Sequence, residues 1–300
     1  MEITESNELL GDLEGNTFVG ELPTLKNSKI VFAGQGNILF CEPGVVIQSS
    51  LIRFRGNNSL IMLGKTKHPC KVDFTIYNNN TLAVGRDNYF NGKLHIIVSE
   101  ERMVFIGDGC LFSFGIWMRT ADPHLVYDAS TRERMNPSKD IVVGDHVWIG
   151  QDAMILKGSS LGSGCIVGAK AVVAGKRVNS NSSWAGNPAK LIRDGLFWDG
   201  ASVHAWEKDK TLASQVYSGK PELFKPDKST ITAKELGDTI YNLGSPEKRL
   251  AYLQEFGYGK GNRNRLAIGE HDVKPHVGQA EGAEMQAKAP KRLPKLFGRA

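Results

Sequence analysis

An aliphatic side chain returns at every sixth position from Val143 to Val173 (Val143, Ile149, Ile155, Leu161, Val167, Val173), a spacing that no helix and no ordinary strand can use. A helix buries one face at a spacing near 3.6 residues, and a half-buried strand at a spacing of 2. A period of six suits a solenoid in which each hexapeptide is one short strand and a corner, three of them closing a triangular coil of about 18 residues. The residue after each aliphatic is Gly144, Gly150, Leu156, Gly162, Gly168 or Ala174, and Ala153, Ser159, Cys165 and Ala171 recur at a second small position. Such side chains fit tight corners.

Upstream the period loosens. SLIMLG, TLAVG and MVFIG end on Gly64, Gly85 and Gly107, and GNILF (Gly36 to Phe40) precedes them by a similar step. These segments read as coils with longer turns, which places the solenoid at about residues 25 to 190. Between Ile106 and Val143 the pattern breaks at a polar run, MRTADPHLVYDASTRERMNPSKD, a loop thrown out of the coil where functional groups tend to sit. Past Arg193 the hexads stop. A short helix is predicted over Ser245 to Phe256, where Ser-Pro-Glu makes a good N-terminus and Leu250, Leu253 and Phe256 share a face. From about Gly259 the scarcity of large apolar residues suggests a flexible tail. The chain therefore divides into a β-helix over 1–194 and a C-terminal extension over 195–300, partly helical and partly disordered, to which the sequence assigns no activity.

Composition narrows the partners. Lys and Arg total 37 against 32 acidic residues, and much of the +5 excess lies in the final KAPKRLPKLFGRA, so no long basic stripe argues for nucleic acid. No window approaches the ~18 apolar residues of a membrane span, and the acidic N-terminus lacks a signal pattern, so a cytoplasmic protein is expected. Cys41, Cys70, Cys110 and Cys165 share no metal or disulfide spacing and read as free thiols, with Cys110 and Cys165 at inward positions of the repeat.

Three stretches add a resemblance: ADPHLVYD (Ala121 to Asp128) in the loop, GDHVWIG (Gly144 to Gly150) at a coil start, and WAGNPAKLIR (Trp184 to Arg193) at the close. With the hexads they resemble the hexapeptide-repeat O-acetyltransferases over roughly residues 60 to 193, especially those acting on capsular polysaccharide and polysialic acid. The resemblance implies an all-β solenoid of left-handed parallel β-helix type, a homotrimer with active sites in clefts between neighbouring helices, acetyl-CoA as donor, a saccharide hydroxyl as acceptor and no metal. It also implies a loop histidine as base.

His124 is that histidine. Acetyl-CoA is already an activated thioester, so the demanding step is removing a proton from a weakly acidic alcohol, and an imidazole suits it. Asp122, two residues earlier, is a candidate to orient the ring, with a turn-forming Asp before Pro as the alternative. His146 reads as an exposed corner residue. Trp148 precedes the inward Ile149, so strand alternation points its indole outward, towards the acetyl or pantetheine arm, the acceptor, or a trimer contact. If an 18-residue coil held, Trp148, Ile166 and Trp184 would line one outer face. Lys176, Arg177, Lys190 and Arg193 supply cations for the CoA phosphates, and Lys190 and Arg193 align with family positions at the nucleotide end. Gln151 and Ala169 align with pantetheine contacts. Arg119, Arg132, Arg134 and Lys139 together suggest a basic cleft for an acidic sugar. The alternatives in other classes are an N-acetyltransferase of an amino sugar or serine-type acceptor, and a non-catalytic trimeric scaffold. A γ-type carbonic anhydrase needs three converging histidines, and only His271 and His276 of the seven are close in sequence.

Overall fold

The computed structural model describes residues 1–258 and 264–269, in which residues 17–185 wind as a left-handed parallel β-helix of about seven turns. Three faces recur in each coil. In one coil the first face holds Met103–Ile106, the second Leu111–Phe112 and the third Trp117–Arg119; the next repeats them as Ile141–Val143, Trp148–Ile149 and Met154–Leu156. Strands a coil apart pair in parallel, Phe112 with Ile149 and Ile149 with Val167 on the second face, Met118 with Ile155 and Ile155 with Val173 on the third. Every aliphatic of the period-six series is 1% exposed or less, and all four cysteines are free and buried.

The solenoid starts earlier than the hexad pattern indicates, because Thr17–Gly20 already pairs in parallel with Ile38–Cys41. That first strand is half exposed, so it carries little apolar signal. The upstream coils are longer: Ile61 lies beside Leu82 and Leu82 beside Val104, with the added residues spent on corners. At the corner between the third and first faces, buried Asn37, Ser59 and Asn80 relay hydrogen bonds from coil to coil. Ser59 N donates to Asn37 Oδ1 (2.9 Å), Asn80 N to Ser59 Oγ (3.0 Å) and Arg102 N to Asn80 Oδ1 (2.6 Å), which pairs a backbone amide of each coil that would otherwise be costly to bury. At the next corner glycines stack, and a Cβ on Gly107 would stand 2.7 Å from the Gly144 carbonyl carbon, so no larger residue allows the coils to approach.

One strand at each end runs the other way. Glu2–Ile3 is antiparallel to Lys29–Phe32, and Lys190–Arg193 is antiparallel to Ser183–Ala185.

The first face is apolar on both sides. Phe40, Met62, Met103, Phe105 and Val142 point away from the coil interior, yet each is 6% exposed or less because the extension folds back over them. Among the described residues three helices follow the solenoid: α1 (Lys208–Ala213), α2 (Ala233–Asn242) and α3 (Pro246–Tyr258). Helix α3 agrees with the predicted segment within two residues, and α2 was not predicted. Leu236 and Ile240 of α2, Leu250 and Leu253 of α3, and Leu266 form one apolar cluster with the first face. Arg249 of α3 donates to the carbonyls of Asn79 (2.9 Å) and Asn80 (3.1 Å) at the corner relay. Arg265, 3% exposed, fastens the end of the cover, with Nη2 to Asp145 at 2.6 Å and Asp108 at 3.1 Å and Nη1 to the Gly257 carbonyl at 2.6 Å. The tail expected from Gly259 lies outside the described residues except for 264–269, which are held in this way. Among the described residues no helix is long and apolar enough to cross a membrane.

Candidate active site

The interrupting loop occupies the corner between the third and first faces, and it is an ordered arm. Lys139 N to Thr120 O (3.1 Å) closes its base, while Met135 N to Val126 O (2.8 Å) and Asp128 N to Glu133 O (2.9 Å) pair its two limbs. His124 stands exposed on the first limb and lines an open cleft of about 630 Å³ with Tyr77, Ser99, Glu100, Arg119 and Asp122.

Asp122 does not hold the His124 ring. Its Oδ2 accepts from Lys157 Nζ at 2.5 Å and from Asn136 Nδ2 at 3.0 Å. The same Asn136 Nδ2 donates to the His124 backbone carbonyl at 2.7 Å, and Asn136 Oδ1 accepts from Val126 N at 2.9 Å. The Lys157 ammonium, against an opposing effect of burial and with help from the Asn136 amide, holds the Asp122 carboxyl below its ordinary range. Asp122 thus acts on the backbone that carries His124. Lys157 follows the strand Met154–Leu156 of the next coil, so this clamp ties the arm to the solenoid. Asn136→Ala should release the carbonyl of His124 and the amide of Val126 together. A several-fold fall in kcat with an almost unchanged melting temperature is expected, and a variant with wild-type kcat would remove the clamp from the site.

The four-cation cleft expected from the sequence does not form. Arg134 donates from both terminal nitrogens to Glu100 (2.9 and 2.8 Å), and Arg134 with Ser138 pulls the Glu100 carboxyl down to about 2. Arg119 lines the cleft, its guanidinium 5.2 Å from the centre of the Trp117 ring. Arg132 and Lys139 do not line the cleft. Glu101 and Asp122 do, so the cavity is mixed in charge.

Trp148 lies on the second face, 39% exposed, in register with Leu111 and Ile166. Trp184 does not join it. The last coil is one residue short, so Ser183 pairs with Ile166 and Trp184 with the inward Val167; the indole is 8% exposed and donates to Ser182 Oγ at 3.1 Å. It is a core residue that closes the coil interior. Gln151 and Ala169 are exposed at the corner between the second and third faces, where Lys170 N donates to the Gln151 carbonyl (2.7 Å). Lys190 and Arg193 are exposed on the closing antiparallel strand beside the second face, whereas Lys176 sits at the corner that bears the arm, two coils beyond it.

His146 is not an exposed corner residue. Its ring stacks on Trp198 (centroids 4.0 Å apart, 4° between planes), and Trp198 Nε1 donates to the His146 carbonyl at 2.9 Å. The Trp198 ring is 6.1 Å from that of Trp148. The extension therefore reaches the tryptophan of the second face, a contact whose only trace in the sequence is the aromatic pair Phe197 and Trp198.

These placements have one geometric outcome. The His124 arm springs from the corner between the third and first faces, and Trp148 lies on the face opposite that corner. Within one chain the two do not share a cleft.

Coils of paired hexapeptides define the solenoid class, and the chain belongs to the hexapeptide-repeat acetyltransferases. A family profile described as bacterial transferase hexapeptide (six repeats) matches residues 140–175. The chain is 26% identical over 204 residues to a polysialic acid O-acetyltransferase of Neisseria meningitidis, covering 67% of this chain and 94% of that one. To a polysialic acid O-acetyltransferase of Escherichia coli (O1:K1 / APEC) it is 32% identical over 185 residues, 61% of this chain and 59% of the relative. The crystal structure of the polySia specific acetyltransferase NeuO superposes with a TM-score of 0.56 at 28% identity, covering 67% of this chain and 93% of that one.

Proposed function

We propose that the protein transfers the acetyl group of acetyl-CoA to a hydroxyl of a polysaccharide, in the cytoplasm, as a homotrimer whose sites form between copies. The arm at one corner and the tryptophan on the opposite face are the observation that carries this reading: the two meet only when a second copy brings its second face to the first copy's arm. The exposed Leu125, Val126, Tyr127 and Met135 of the arm supply an apolar surface for such a contact. The names of the relatives favour a glycan hydroxyl over an amine.

In this reading His124 takes the proton of the acceptor hydroxyl as its oxygen attacks the thioester carbonyl carbon. The tetrahedral adduct collapses by breaking the carbon–sulfur bond, and the imidazolium returns its proton to the departing thiolate, so the products are the acetyl ester and CoA. Asp122, Asn136 and Lys157 hold the backbone of His124. Trp148 of the neighbouring copy covers the acetyl and pantetheine arm, Gln151 and Ala169 offer backbone groups along it, and Lys190 and Arg193 meet the phosphates.

Two experiments test this. Free-thiol release from acetyl-CoA is measured across acidic glycans, including polysialic acid, neutral glycans and amine acceptors; release with amines alone would replace the hydroxyl reading. Co-expression of His124→Ala with Trp148→Ala chains should restore activity that neither variant shows alone, because a mixed trimer contains one interface with both residues intact. Absence of complementation would place the two groups in separate functions.

A further inference from the structure

The face of the extension turned away from Trp148 forms a second cavity. Helices α2 and α3 meet the corner relay around a hollow of about 360 Å³, whose lining includes Asn79, Glu101, Arg102, Tyr241, Asn242 and Arg249. This hollow continues the His124 cleft. Glu101 lines both, and two backbone runs cross from one to the other: Tyr77 and Asn78 line the cleft and Asn79 the hollow, Ser99 and Glu100 the cleft and Arg102 the hollow. Three residues of chain span at most about 11 Å, so one extended ligand reaches both.

The chemistry of the lining suits a glycan. Amide, carboxylate and guanidinium groups offer the planar donors and acceptors that pair with vicinal hydroxyls, and Tyr241, 59% exposed, offers a ring face to the apolar side of a sugar. Arg249 gives its terminal nitrogens to the relay, and Arg102, half-buried, supplies the second guanidinium of the lining. Nothing in the solenoid requires this hollow. Apolar contact through Leu236, Ile240, Leu250 and Leu253 would dock the helices without it.

We infer that the hollow between α2, α3 and the corner relay is a second acceptor subsite, which holds a sugar unit of the polymer some way along the chain from the unit at His124. The inference rests on the polysaccharide reading above. It gives the extension a role: a glycan held at two points binds more tightly than one held at His124 alone, because the second contact is made at a high effective concentration. Short acceptors, which reach only the His124 cleft, gain nothing from it.

The test uses the full chain and polysialic acid or dextran, whichever the wild type acetylates, each as polymer and as short fragments. Tyr241→Ala and Arg102→Ala should each raise KM for the polymer by about tenfold, the equivalent of 1.4 kcal/mol, and leave KM for the fragments and for acetyl-CoA at wild-type values. Both variants should also weaken polymer binding to His124→Ala protein, measured by titration without turnover. Equal KM changes for polymer and fragments, or polymer binding that neither substitution alters, would overturn the subsite and leave the acetyltransferase reading intact. A wild type that acetylates no glycan but accepts amines fails the parent reading, and the subsite with it.

Discussion

Alanine in place of His124 is expected to lower kcat for acetyl transfer by about 10²–10⁴-fold, the contribution usual for a positioned general base. The KM for acetyl-CoA should be unchanged, because the thioester and its nucleotide are held by other groups in the proposed site. The side chain is exposed on the arm, and neither the core nor the clamp uses its ring, so the variant should melt with the wild type. Those readouts separate chemistry from folding: a fall in kcat at unchanged KM marks an interaction made in the transition state, and an unchanged melting temperature excludes misfolding. A His124→Ala enzyme that turns over at the wild-type rate would move the base elsewhere, and the cleft holds Glu101 as the next group to examine.

Arg265→Ala is expected to be the most destabilising single change in the extension. Removing one partner of a buried ion pair costs about 3–5 kcal/mol, because the remaining charge is left without compensation. Here two carboxylates lose their cation at once. Burial pushes the Asp108 carboxyl up, against the pull of the Arg265 guanidinium, but its side chain is 37% exposed, so most of the loss falls on Asp145, 13% exposed. A fall in Tm on the order of 10 °C should result, accompanied by dye binding to the uncovered first face. Combining Arg265→Met with Asp145→Asn should recover part of the loss by removing charges in a pair. An Arg265→Ala protein that melts with the wild type would mean that the apolar contacts of α2 and α3 hold the cover unaided.

The solenoid was legible wherever the hexad is strict. Val143 to Val173 face inward as the period requires, and the tryptophan beside Ile149 points out as alternation requires. The solenoid starts before the position its pattern gives, about residue 25, because Thr17–Gly20 has too little apolar character to register. Trp184 was misplaced because a coil one residue short moves every later side chain to the other surface of the sheet, and a period counted over earlier coils cannot report that. The cover over the first face did leave a trace. SLIMLG, TLAVG and MVFIG are apolar at consecutive positions, which in a parallel sheet means burial from both sides. Helix α2 left one too, since Thr232 and Glu235 form a capping box. Asn136 and Lys157 left none: their clamp joins a loop to the following coil through hydrogen bonds that follow no period.

The two reversed strands at the ends of the stack decide how copies of this chain can associate. A parallel solenoid presents at each end a row of backbone donors and acceptors that another copy could continue, and repeated addition would draw the molecule into a filament. Glu2–Ile3 and Lys190–Arg193 turn one sheet edge at each end against the direction of the rest, so a second solenoid stacked there meets strands of the wrong polarity. Growth along the axis is discouraged, and the surfaces left for assembly are the flanks.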